Sequence, residues 1–134
     1  MSIFDKNRHT EQKLEPIADF LRAATWPGSS ASKYVKSKCC VDPHALWDSS
    51  LQRFWFSAQQ GPAKGTAYVF VALSDTNKAR DSWTVLALDE TINSNHVKEP
   101  YWCDYDQIGF NAKTLFVSCD MFPLSSAGSD EGAA

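Results

Sequence analysis

Apolar residues follow two different periods along this chain, and the change of period falls near residue 41. From Thr10 to Trp26 the apolar positions Leu14, Ile17, Phe20 and Leu21 recur at spacings of three and four, which predicts a helix of about three turns. Pro16 suits the first helical position, and Pro27-Gly28 supplies a stop. Ahead of it, "SIFD" (2–5) is a short apolar and acidic run closed by the polar turn Lys6-Asn7-Arg8. "GSSASKYVKSKCC" (28–40) is a polar connection with little periodicity.

From Asp42 the period becomes two. Ala45-Leu46-Trp47 runs into the turn residues Asp48-Ser49-Ser50, and Phe54-Trp55-Phe56-Ser57-Ala58 follows, so the two runs should pair as a hairpin. Gly61-Pro62-Ala63-Lys64-Gly65 predicts the next turn, "TAYVFVALS" (66–74) a strand, and "SWTVLAL" (82–88) a further strand across the polar loop Asp75–Asp81. Segment 42–89 therefore reads as four consecutive antiparallel strands, the size of one propeller blade or of half a sandwich. After "ETINSNHVKEPYWCDYD", the run "QIGFNAKTLFVSCDMF" (107–122) repeats the opening of that unit: a short strand, a polar turn at Asn111 and an apolar strand. "SSAGSDEGAA" is small and polar and reads as a disordered tail.

Composition narrows the function classes. At 134 residues the chain suits one domain with a real core. Hydrophobic residues at 43% and aromatics at 13% exclude a disordered chain, and a net charge of −3 leaves no overall basic footprint for nucleic acid. No apolar run has the length of a membrane-spanning helix, and the N-terminus carries charges where a signal peptide needs its apolar centre.

The order of short motifs adds a family resemblance. Asp42-Pro43, Trp47-Asp48 and Arg53-Phe54-Trp55 come first, and Val71-Ala72-Leu73-Ser74 with Trp83 follow. Asp104-Tyr105-Asp106-Gln107-Ile108-Gly109 with Leu115-Phe116-Val117 complete the set. This order resembles secreted β-propeller proteins of the sialidase-like, Asp-box-bearing kind, over about residues 1–122. The segment "SDTNKARDSW" keeps the Ser, Asp and Trp of an Asp box at a longer spacing and without its glycine, and Asp106 stands where the family pattern has proline.

The resemblance implies an all-β fold: antiparallel four-stranded blades of a sialidase-like propeller, incomplete, with a short N-terminal helix. Residues 1–41 would hold a strand end, the helix and the polar connection; 42–122 a blade plus the start of the next; 123–134 the tail. It implies an extracellular parent protein, and as partners the remaining blades or further copies of the chain, because lone blades leave strand edges open.

Candidate chemistry is sparse. Asp104 and Asp106, two apart, would point the same way on a regular strand, where they could share a proton or, with Asp42, Asp48 and Asp120, a Ca²⁺ ion. No calcium-loop spacing is present, so turn capping is the simpler expectation. Cys39-Cys40, His44, His96 and Cys103 have zinc-ligand chemistry, but adjacent cysteines do not both face one tetrahedral ion. In an exported parent, one bridge from Cys39 or Cys40 to Cys103 is the expectation, with Cys119 a buried hydrophobe alternating with Leu115, Val117 and Met121.

Arg8, Arg22, Arg53 and Arg80 are scattered along the chain and reconstruct no carboxylate-binding cluster, and there is no G-x-S-x-G elbow. Trp47, Trp55 and Trp83 lie in strands and are expected in the core. Tyr101 and Trp102, beside Pro100, are the candidates for an exposed sugar-stacking platform, with Asp104 and Asp106 next to them. The expectation is a non-catalytic scaffold that binds a carbohydrate or protein partner and needs no cofactor, with no nucleic-acid or membrane role. The rival expectation is a fragment of a sialidase-like glycoside hydrolase whose active site lies mostly outside this chain.

Overall fold

The computed structural model describes residues 1–23, 31–36 and 39–127. The chain is built mainly of antiparallel strands. β1 (Ser2–Asp5) and β2 (Thr10–Leu14) form a hairpin, and α1 (Ile17–Ala23) follows. β3 (Val41–Asp48), β4 (Arg53–Ala63), β5 (Thr66–Ser74) and β6 (Trp83–Asp89) form a four-stranded up-and-down sheet, and β7 (Tyr101–Phe110) pairs with β8 (Leu115–Pro123). Among the described residues none of the three sheets closes on itself.

The helix expected over residues 10–26 splits. Thr10–Leu14 is strand β2, paired to β1 from Ser2↔Leu14 to Asp5↔Thr10, and only Ile17–Ala23 is helical; 24–26 lie outside the described residues. Pro16 is the physical reason. It disfavours helical backbone at Glu15 and starts a new helix in which its carbonyl accepts from the Asp19 and Phe20 amides.

The meander reads closer to expectation. Thr66–Ser74 is β5 from end to end. Of the run 61–65, only Lys64 and Gly65 make the turn, with φ of 53° and 74°, while Gly61, Pro62 and Ala63 extend β4. Two residues at positive φ give the tight connection whose twist matches the strands. At the β3–β4 turn, Asp48 Oδ1 accepts from the Ser50 and Leu51 amides.

Both faces of the sheet are covered, which makes three layers. On one face α1 and the turn Ala31–Tyr34 bury Phe20, Leu21 and Val35 against Phe56, Ala58, Phe70, Ala72, Trp83 and Val85. Phe20 meets the Phe56 and Trp83 rings edge-on, at 5.2 Å each, the favoured aromatic geometry. On the other face Val69 and Val71 pack against Cys103, Trp55, Leu115, Val117 and Cys119, so the β7–β8 hairpin lies over the centre of the sheet. Leu86 and Leu88, on β6, stay 44% and 41% exposed.

In the stretch expected as tail, β8 runs through Pro123. Leu124–Ala127 makes a 3-10 turn tied by the Leu124 amide to the Pro100 carbonyl (2.9 Å), and 128–134 lie outside the described residues.

Candidate functional site

The two aspartates singled out in the sequence meet at one side chain, Gln59. Tyr105 between them takes a φ of 55° at a register break in β7, so its ring turns outward and is 62% exposed. This bulge aims both neighbours at the sheet. Gln59 Nε2 donates to Asp104 Oδ1 at 2.5 Å, and Gln59 Oε1 accepts from the Asp106 amide at 3.1 Å. Gln59 is 1% exposed, so a buried amide clips the hairpin to β4.

Beside the clip lie two carboxyls, Asp106 and Glu90, whose titration is shifted upward. Asp106 is 0% exposed, and neither of its carboxylate oxygens has a hydrogen-bond partner, nor does the buried Ser57 Oγ. Burial pushes the Asp106 carboxyl above the ordinary carboxylate range. The nearby Ser57 hydroxyl and His44 pull it back, and Asp42 pushes it further up. Glu90 Oε2 accepts from the Cys103 amide at 3.0 Å, while Oε1 has no partner. Burial pushes Glu90 up to about 8, the Cys103 N–H opposes the rise, and the negative potential of Asp106, Asp89 and Asp104 adds to it. At neutral pH Glu90 is therefore mostly protonated. The cluster acts as a seam between hairpin and sheet, and among the described residues no group of three or more ligating side chains is placed to hold a metal ion.

The cysteine pairing departs from expectation. Cys103 bonds Cys119 (S–S 1.97 Å, Cα–Cα 5.5 Å), so the expected bridge from Cys39 or Cys40 to Cys103 does not form. Cys103 and Cys119 belong to the two strands of one hairpin and both face the sheet, within the span a disulfide needs. Cys119 is thus half of a cross-strand bridge rather than a free buried thiol.

Tyr101 and Trp102 stand at the open end of the same hairpin. Tyr101 is 45% exposed, and Trp102 is half-buried, its ring 6.2 Å from that of Phe122, which is 40% exposed. Gly61 leaves room for the indole: a Cβ there would sit 4.0 Å from Trp102 Cζ3. The Trp102–Phe122 pair makes an aromatic shelf at this strand end; Tyr101, the neighbour of Trp102 in the chain, is exposed, and Asp104 is half-buried farther along β7. Of the tryptophans expected in the core, Trp83 is buried and Trp55 half-buried. Trp47 is 42% exposed, because it lies on edge strand β3 and packs only sideways on Phe54, 4.6 Å away between centroids.

One feature had no signal in the sequence. A concave groove between the β1–β2 turn and the β5–β6 loop gathers Lys6, Arg8, Lys78 and Arg80, with Phe4 and Phe54 in its lining. These cations lie some seventy positions apart in the chain, and only pairing of the fold brings them to one place. Compared with protein-family models, with curated proteins and with solved structures, the chain matches none of them.

Proposed function

We propose that the chain is a non-catalytic binding module that takes carbohydrate at the aromatic end of the β7–β8 hairpin, on the Trp102–Phe122 shelf and the neighbouring Tyr101. The observation that carries this reading is the Trp102–Phe122 ring pair at one strand end, with Phe122 40% and the neighbouring Tyr101 45% exposed, held by the β7–β8 pairing rather than by a loop. Aromatic faces stack on the apolar faces of pyranose rings, and a rigid mount reduces the ordering cost of binding.

The absence of a catalytic role rests on where the perturbed carboxyls sit. Glu90 and Asp106 face the underside of the hairpin, engaged with or beside the Cys103 amide and Ser57, instead of lining an open cleft. The four-stranded meander β3–β4–β5–β6 has the up-and-down strand order of a propeller blade, which supports the sialidase-like reading, and its edge strands β3 and β6 are where further copies of the chain would join.

Isothermal titration against a panel of neutral mono- and oligosaccharides tests the proposal. Binding with a Kd of about 1 mM or tighter, lost in Tyr101→Ala, is the expected result. A panel with no binder, or a binder indifferent to Tyr101→Ala, overturns it.

A further inference from the structure

The groove between the β1–β2 turn and the β5–β6 loop is separate from the shelf, and its two walls are built independently. On the first wall, Asp5 is consumed internally: Oδ1 accepts from the Asn7 and Arg8 amides at 2.9 and 3.1 Å, and Oδ2 accepts from Gln12 Nε2 at 3.0 Å. That bonding fixes the turn and points Lys6 and Arg8 outward. Arg8 keeps only a long 3.8 Å contact to Asp5, and its side chain is 75% exposed.

On the second wall Thr76 does the same work. Its hydroxyl donates to Asp81 Oδ2 at 2.6 Å and accepts from the Lys78 amide at 3.0 Å, while Ser74 Oγ donates to the Thr76 carbonyl at 2.7 Å. The loop is thereby set to present Lys78 and Arg80. Arg80 has one weak contact, 3.9 Å to Asp81. Neither Lys6 nor Lys78 has a carboxylate within ion-pair distance among the described residues.

The groove thus holds four cations against one carboxylate already saturated by hydrogen bonds, in a chain whose net charge is −3. Its lining also contains the amides Asn7 and Asn77, Phe54, and the Phe4 ring, which is 58% exposed. Preset cations with little internal neutralisation favour a doubly charged oxyanion, and guanidinium groups match phosphate geometry. An exposed phenylalanine beside them offers stacking to a flat group.

We propose that this groove is a binding site for a small molecule that joins a phosphate group to a planar ring. The opposite balance of charge over the rest of the surface confines attraction to the groove, which suits a small ligand rather than a long polyanion.

Amide chemical-shift mapping on the full chain tests this with three probes at equal ionic strength: adenosine monophosphate, adenosine and inorganic phosphate. Adenosine monophosphate should shift the amides of residues 3–8 and 77–80 with a Kd of about 1 mM or tighter, and each part alone should bind more weakly. Lys6→Glu with Lys78→Glu, both at exposed positions, should weaken binding about ten-fold or more while the rest of the spectrum stays in place. The proposal is overturned by no shift at these amides, by an unchanged Kd in the charge-reversed variant, or by phosphate alone binding as tightly as the nucleotide. Equal shifts from sodium chloride alone would show general screening and overturn it as well.

Discussion

Glu90→Gln should make the protein more stable at alkaline pH and flatten its stability profile. A glutamate ordinarily titrates at 4.5, and Glu90 does so at about 8, chiefly because burial penalises its charged form. The gap of about 3.5 pH units corresponds to about 5 kcal/mol at about 1.4 kcal/mol each. The side chain is only partly buried, and solvent screening removes about half of that, leaving about 2–3 kcal/mol. The sign follows from proton linkage. Below pH 4.5 the carboxyl is protonated in both folded and unfolded chains and costs nothing. As pH rises from 4.5 toward about 8, the unfolded chain releases its proton first, so stability falls; above that range the full penalty is present.

Asp106, also raised, adds to the same trend. Asp48 does not interfere. Burial raises its carboxyl, the bonds from Leu51, Trp55 and Ser50 outweigh that, and its net lowered titration acts below 3.8, outside the window. Glutamine keeps an acceptor for the Cys103 amide and cannot ionise. Urea unfolding followed by tryptophan fluorescence at about pH 5, 7 and 9 gives the profile for both proteins. Wild-type stability that is flat or rising between pH 5 and 9, or a Glu90→Gln profile as steep as wild type, would refute this reasoning about the seam.

Three further outcomes follow from packing and backbone geometry. Replacing both Cys103 and Cys119 by Ala opens a loop of sequence separation 16 and should cost about 3 kcal/mol on the loop-entropy scale, seen as a lower urea midpoint under non-reducing conditions. Phe20→Ala removes the ring wedged between Phe56 and Trp83 and should cost about 3–5 kcal/mol, with loss of near-ultraviolet circular dichroism from Trp83. Gly65→Ala forces a side chain onto a backbone at φ +74° and should cost about 1 kcal/mol, measurable as a lower thermal midpoint with an unchanged far-ultraviolet spectrum.

The central strands were legible because their signal is local. "TAYVFVALS" is apolar on both faces, and both are covered, Val69 and Val71 by the hairpin and Phe70 and Ala72 by the helix layer. β2 was not legible, because in "TEQKL" only Leu14 is apolar, and its pairing with β1 is set by the turn at Lys6–His9 and by Pro16. The aspartates were noticed as a pair, yet their meeting point, Gln59, lies 45 and 47 positions away and carries no motif. Alternation placed Cys119 facing inward, but the choice of Cys103 as its partner depends on the β7–β8 register. The basic groove needed two turns from opposite parts of the chain, each held by side-chain to backbone bonds that no periodicity reveals.

The measurement closest to the central claim is a two-dimensional amide and indole spectrum of the chain titrated with the tightest saccharide of the panel. Shifts should centre on Tyr101, Trp102 and Phe122, including the Trp102 indole N–H, with the groove residues 77–80 unmoved. Saccharide shifts elsewhere on the surface, or a spectrum that does not change at all, would contradict the reading of the shelf as the binding site.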